Sequence, residues 1–176
     1  MHMAFLTPEH LVKELYLQPG NRVADIGSGT GVYTIALSGE VGETGQVYAV
    51  DVHRESLHTL RGVLDKRGIF NVDMIWADVE KRIPIESYSL DAVVLSNVLF
   101  QLENCDEALK HIAMLIKPEG QLLVVDWSKS HGGIGPHPSH VIAEEKAENL
   151  VQKHGFRIVK RLPAGEYHYA FIALSV

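Results

Sequence analysis

The side chains of this chain that could do chemistry fall at regular places. The stretch VADIGSGTG, residues 23–31, sets Gly27, Gly29 and Gly31 on alternate positions behind an acid, Asp25. Farther on, YAVDV holds Asp51, WADVE holds Asp78, and LDAVVLSNVLFQL carries Ser96 and Asn97. A glycine turn tolerates positive φ and lets a ligand lie against backbone, and the helix behind it offers a positive end. Phosphate, nicotinamide dinucleotide and an adenosyl sulfonium all suit such a turn. A phosphate-binding P-loop would need Gly-Lys-Ser/Thr, but Gly31 is followed by Val32-Tyr33-Thr34. A dinucleotide site wants G-x-G-x-x-G, and the spacing here is G-x-G-x-G. Asp25 suits an ammonium or sulfonium better than a pyrophosphate. Asp51 could take both hydroxyls of an unphosphorylated ribose. Asp78 could accept from an adenine amino group, with Ala77 and Val79 flanking the base.

The elements that must position these groups alternate along the chain. RVADI, QVYAV, VDMIWA, LDAVVLS and QLLVVDW are short apolar runs bounded by Gly, Asp or Asn, and they predict buried parallel strands. Between them, residues 54–66 place Leu57, Leu60, Val63 and Leu64 on one helical face, and 106–116 do the same with Ala108, Leu109, Ile112 and Leu115. GVYTIALSG predicts a helix closed by Gly39, and Ser139 an N-cap for a helix through Lys153. Such alternation means right-handed βαβ units with helices on both faces of the sheet. The tail differs: FRIVKRLPAGEYHYAFIALSV gives two extended runs joined by too short a loop for a crossover, so these should pair antiparallel. The four polar positions thus close four successive strands, which is hard to read as chance.

Composition narrows the class. At 176 residues the chain is expected to be one domain, 1–176, with residues 1–20 as a helical cap. A net charge of −6 leaves no basic footprint for nucleic acid, so a small molecule is the better partner. A single cysteine, Cys105, excludes a disulfide framework and a multi-cysteine zinc site. The opening MHMAFLTPEH has no signal-like pattern and no later segment is long enough to span a bilayer, so the cytoplasm is the expected compartment.

Together these motifs resemble the class I S-adenosylmethionine-dependent methyltransferases, in the small-molecule branch with the ubiquinone/menaquinone C-methyltransferases. VADIGSGTG, YAVDV, WADVE and LDAVVLSNVLFQL match the first four family motifs. LIKPEGQLLVVDW matches the helix-turn-strand that follows, with Pro118-Glu119-Gly120 as the turn, and HGFRIVKRL matches the penultimate strand. The resemblance implies a Rossmann-like three-layer α/β sandwich with seven strands in the order 3-2-1-4-5-7-6, strand 7 antiparallel. It implies S-adenosylmethionine as cofactor: Gly27, Ser28, Gly29 and Gly31 against its methionine part with Asp25 near the amino group, Asp51 and Val52 at ribose and adenine, Ala77, Asp78 and Val79 around the base, and Ser96 or Asn97 near the sulfonium. It implies methyl transfer by direct in-line displacement, for which no catalytic triad is needed.

The acceptor side is less legible. Tyr16, Phe100, Trp127, His131 and His137 are its candidates, weighed against plain packing or solvated loop roles. A metal bound by the loop histidines is disfavoured, because a Gly/Pro-rich loop without regular spacing is a poor tetrahedral site. No Asn/Asp-Pro-Pro-aromatic signature, cysteine set or glutamate-pair hairpin marks the adenine-amine, arsenite or protein-arginine branches. The segment after strand five is short for a lid, so the N-terminal helix must cover the pocket, or it stays open, or a second subunit in a homodimer closes it. Two rival readings are a non-catalytic module that binds S-adenosylmethionine or S-adenosylhomocysteine, and a nicotinamide-dependent oxidoreductase.

Overall fold

The computed structural model describes residues 7–130 and 133–176. Helix α1 (Pro8–Lys13) precedes strand β1 (Arg22–Ile26), α2 (Val32–Val41), β2 (Gln46–Asp51), α3 (Arg54–Arg67), β3 (Val72–Trp76) and β4 (Leu90–Ser96). After a 3-10 turn at Leu99–Gln101 come α4 (Cys105–Leu115), β5 (Ile116–Trp127), α5 (Glu144–Lys153), β6 (Phe156–Leu162) and β7 (His168–Ser175). The seven strands form one sheet in the order β3-β2-β1-β4-β5-β7-β6. β1 to β5 pair in parallel, and β7 runs antiparallel to both of its neighbours. This is the expected sandwich.

The period of two along each strand explains the layering. In β4, Ala92 and Val94 join the core beneath α1, α2 and α3, while Val93 and Leu95 join the core beneath α4 and α5. β5 divides the same way, Leu123 and Val125 against Leu122 and Val124. Strands buried on both faces are why these runs read as continuously apolar. α3 buries Leu57, Leu60 and Leu64, and α4 buries Ala108, Leu109, Ile112 and Leu115, as their spacing predicts.

Several boundaries differ from expectation. Gly39 does not close α2; the helix runs on to bury Val41 and stops at Gly42, whose φ is 65°. The apolar face therefore outlasts the glycine. Pro118-Glu119-Gly120 is no free turn between helix and strand. It forms a bulge inside β5, where the register against β4 jumps from Leu90↔Ile116 to Ala92↔Gln121 and Glu119 takes a φ of 62°. Ser139 does not cap α5, whose N-cap is Ala143 with no side-chain bond; Glu144 and Glu145 complement the helix start instead. Helix α1 has only six residues, yet Leu11, Val12, Leu15 and Leu17 are buried against Tyr33, Leu37 and Val41. Gln121 Nε2 donates to the Leu15 carbonyl at 2.8 Å and ties this segment to the sheet.

Candidate functional site

β1 and β4 are neighbours although far apart in sequence, and their connections leave the sheet toward opposite faces. In open α/β sheets a crevice opens outside the strand ends at such a place. Here it is a cavity of about 980 Å³ lined by the carboxyl ends of β1, β2 and β4, the loop after β3, and the start of α2. It gathers Asp25, Gly27, Ser28, Gly29, Asp51, Val52, Ala77, Asp78, Val79, Ser96 and Asn97, eleven of the twelve positions expected around the cofactor.

Gly31 is the exception. It does not line the cavity; a Cβ there would lie 2.2 Å from Leu60 Cδ1, so its missing side chain admits α3 instead. Gly29, by contrast, has nothing within 4 Å of a would-be Cβ and holds a φ of 52°. The turn's amides are already engaged. Gly27 and Ser28 both donate to the Val50 carbonyl, at 2.8 and 3.0 Å, and Gly31 donates to the Ser28 carbonyl at 2.9 Å. The Gly29 amide donates to Asp51 Oδ2 at 2.8 Å. A turn that turns these amides inward is a poor cradle for a pyrophosphate, which needs them outward.

Asp51 is held on three sides. Besides Gly29, the His53 amide donates to Oδ1 at 2.8 Å and His53 Nδ1 lies 3.1 Å from the same oxygen. A carboxylate offers about four acceptor positions, so one remains for a ligand, and the half-loose His53 ring can yield another. Asp25 is buried at 1% exposure and accepts from Thr34 Oγ1 at 2.6 Å. Burial pushes its pKa up to about 6, against the pull of Thr34. Asp78 accepts from the Glu80 amide at 3.0 Å and faces Lys81 Nζ at 3.3 Å. Among the buried atoms without a hydrogen-bond partner, Ser28 Oγ, Asn97 Oδ1 and the Tyr33 hydroxyl belong to residues that line the cavity. A buried polar atom left unpaired is costly until a ligand pairs with it.

Asn97 takes a φ of 57°, its amide donating to the Val125 carbonyl at 2.8 Å and its carbonyl accepting from Gln101 Nε2 at 2.6 Å. Pro8, Tyr33, His53, Lys81 and Gln101 also line the cavity and were not foreseen. Tyr33 could have been: it is the second residue of the helix behind the glycine turn, where side chains meet the ligand. Its buried hydroxyl lies beside Ser96, and burial raises its pKa well above the ordinary value.

Of the acceptor candidates, Tyr16, Phe100, Trp127 and His137 do not line the cavity. Tyr16 is 72% exposed at a φ of 47°, with Lys160 5.8 Å from its ring centre. Phe100 sits in the 3-10 turn and does not line the cavity. Trp127 does not line the cavity: its ring packs at 4.2 Å on His168, its cross-strand partner in β7, and a Cβ on Gly135 would come within 2.8 Å of it. His137 is exposed and caps the short turn at Pro138–His140 by accepting from the Ser139 amide. His131 lies outside the described residues. Cys105 donates weakly to the Leu99 carbonyl at 3.6 Å, and burial raises its thiol pKa. Among the described residues no group of three His, Cys, Asp or Glu converges as a metal set, and no helix is long and apolar enough to cross a membrane.

A parallel sheet reversed at its last strand, with acids at the ends of β1 and β2 and a third just past β3, defines a class I methyltransferase. The chain belongs to the methyltransferase domain family, whose model matches residues 17–161. Among curated relatives it is 37% identical over 114 residues to the ubiquinone/menaquinone biosynthesis C-methyltransferase UbiE of Pseudomonas putida. That match takes in 64% of this chain, which spans about 44% of the relative's length. Among solved structures, a SAM dependent methyltransferase from Aquifex aeolicus superposes with a TM-score of 0.90 at 29% identity, covering 99% of this chain and 92% of that one. The cyclase SpnF shares the fold at 18% identity and a TM-score of 0.81, covering 95% of this chain and 79% of its own.

Proposed function

We propose that the cavity binds S-adenosylmethionine and that the chain transfers its methyl group to a small-molecule acceptor. What supports this most is one convergence. Asp25, Asp51 and Asp78 arrive in a single cavity beside a glycine turn whose amides are spent, which suits a cationic nucleoside and not a phosphate. Asp51 would hold the ribose, Asp78 the adenine amino group, and Val52 and Val79 the faces of the base. Asp25 would meet the donor's ammonium. When bound, S-adenosylmethionine supplies a methyl group already activated on a sulfonium centre. The chain's own work is then to hold an acceptor in line and exclude water, and a general base is needed only if the acceptor keeps a proton it cannot lose unaided.

Ser96, Asn97, Tyr33 and Gln101 form the wall left for the acceptor, with the unpaired Asn97 Oδ1 as the atom that would orient it. The likeness to C-methyltransferases of quinone biosynthesis makes carbon methylation the first acceptor chemistry to try. The decisive experiment is a calorimetric titration with S-adenosylhomocysteine, with NADH as control. Stoichiometric binding of the first alone is the expected result. No binding in a protein that unfolds cooperatively would exclude an intact donor site.

A further inference from the structure

Val52 and Val79, the two residues placed to flank the base, are each held from outside the cavity in the same way. Trp76, the last residue of β3, donates its indole Nε1–H to the Val52 carbonyl at 2.9 Å. His111 of α4 has its Nδ1 2.9 Å from the Val79 carbonyl. A carbonyl only accepts, so that ring nitrogen carries the hydrogen, in either the neutral or the charged imidazole. Neither ring lines the cavity.

The two rings come from different layers, one from the sheet's edge strand and one from a helix on its face, and reach two residues that line one cavity. Burial does not explain Trp76, which is 58% exposed. Its plane is fixed instead by Arg54, whose guanidinium carbon sits 3.7 Å from the ring centre. Val52 directly follows Asp51, and Val79 directly follows Asp78. Each bond fixes the peptide plane that follows the valine, and so holds the apolar wall directly and, through it, the acid that precedes it.

We infer that Trp76 and His111 are positioning residues that set the width and orientation of the adenine slot, and through it the nucleobase selectivity of the donor site. This rests on the donor reading above. Without the two ring bonds, the loops after β2 and β3 could turn their carbonyls freely, and the contact between Asp78 and a base amino group would lose its fixed geometry.

The test uses the full chain and two nucleosides that differ only at the base, 5′-methylthioadenosine and 5′-methylthioinosine. The parent should prefer the adenine compound by roughly tenfold or more, the usual penalty when a built hydrogen-bond site meets the wrong group. Trp76→Phe keeps an aromatic ring under Arg54 but loses the donor; His111→Phe loses its donor likewise. Each should weaken the adenine compound about three- to tenfold, the worth of one hydrogen bond, and narrow the preference. His111→Asn retains an N–H near the same place and should restore both. A role in folding alone would alter melting and leave the ratio between the nucleosides untouched. Parental affinity and preference in both Phe variants would overturn the inference while the donor reading stands, and if one variant fails to fold the other decides. A parent that binds neither nucleoside would overturn the donor reading and this inference with it.

Discussion

Asp51 and Asp126 are buried carboxylates at the same edge of the same sheet, and they do opposite things. Asp51 ends β2 and faces the cavity, braced by the Gly29 and His53 amides. Asp126 lies near the end of β5, only 1% exposed, and does not line the cavity, although its Oδ2 has no hydrogen-bond partner. It accepts from the Trp127 amide at 2.7 Å and lies against the amides of Val98, Leu99 and Phe100, its pKa pushed up to about 6 by burial. Both strands lie one place out from the β1–β4 pair, so what covers each strand end makes the difference. The crevice opens between β1 and β4, whereas the end of β5 is roofed by the turn that follows β4. An acid at a strand's carboxyl end is therefore a candidate ligand group where it opens to the crevice, as after β1, β2 and β3, and a structural group where a neighbouring turn covers it.

The sharpest way to break this comparison is to remove each acid in turn. Asp51→Ala should weaken S-adenosylhomocysteine by about 1–3 kcal/mol, the loss of a charge-assisted partner, while Asp126→Asn should change it by less than about 0.5 kcal/mol. Calorimetry on the two purified variants reads both, and equal losses would erase the distinction.

Next in size is a pH effect carried by Asp25. Its native pKa is raised from the ordinary 3.8 to about 6, so the native state holds the proton more firmly than the unfolded chain. The stability this gives is complete below about pH 4 and is lost as pH rises through about 6, a change of up to about 3 kcal/mol. Ligand binding should run the other way. An ammonium needs the ionised acid, so affinity for S-adenosylhomocysteine should be full above about pH 6 and decline toward tenfold per unit below it. Asp25→Asn should flatten that profile and raise the thermal midpoint at neutral pH. A variant with the parent's pH profile would remove Asp25 from the site.

The smallest effects belong to residues after β4 that do not line the cavity. Trp127→Phe and His137→Ala should leave donor affinity within about 0.5 kcal/mol of the parent, as for any change away from a site. A larger loss by the same titration would bring that loop back toward the cavity.

The contrast also marks what the chain's residues disclose when read in order. Buried parallel strands announce themselves because both faces are apolar, and the antiparallel tail follows from a loop too short to cross over. Asp25, Asp51 and Asp78 were legible because each stands at or just past a strand end behind a recognisable run. What depends on contacts between distant residues was not. Gly31 looks like its companions in the turn until Leu60 is seen against it. Gly39 looks like a helix stop until Val41 proves buried. Trp127 looks like a pocket wall, but its ring is taken up by His168, the residue paired with it from β7. The direction of a side chain at a strand's last residue depends on register with both neighbours, which local spacing does not carry.

The two walls of the cavity hang from different strands. The glycine turn is lashed to β2 through Val50 and Asp51, and the Asn97 turn is tied to β5 through Val125. The two walls meet where Val98 packs on Gly27, so closely that a Cβ there would lie 2.3 Å from Val98 Cγ2. They work like the jaws of a vice whose screw is the β1–β4 pairing, where Val23 to Ile26 lie in unbroken register with Ala92 to Leu95. The gape of the cavity is thus set by the sheet together with the Val98–Gly27 contact, and a ligand meets jaws already set.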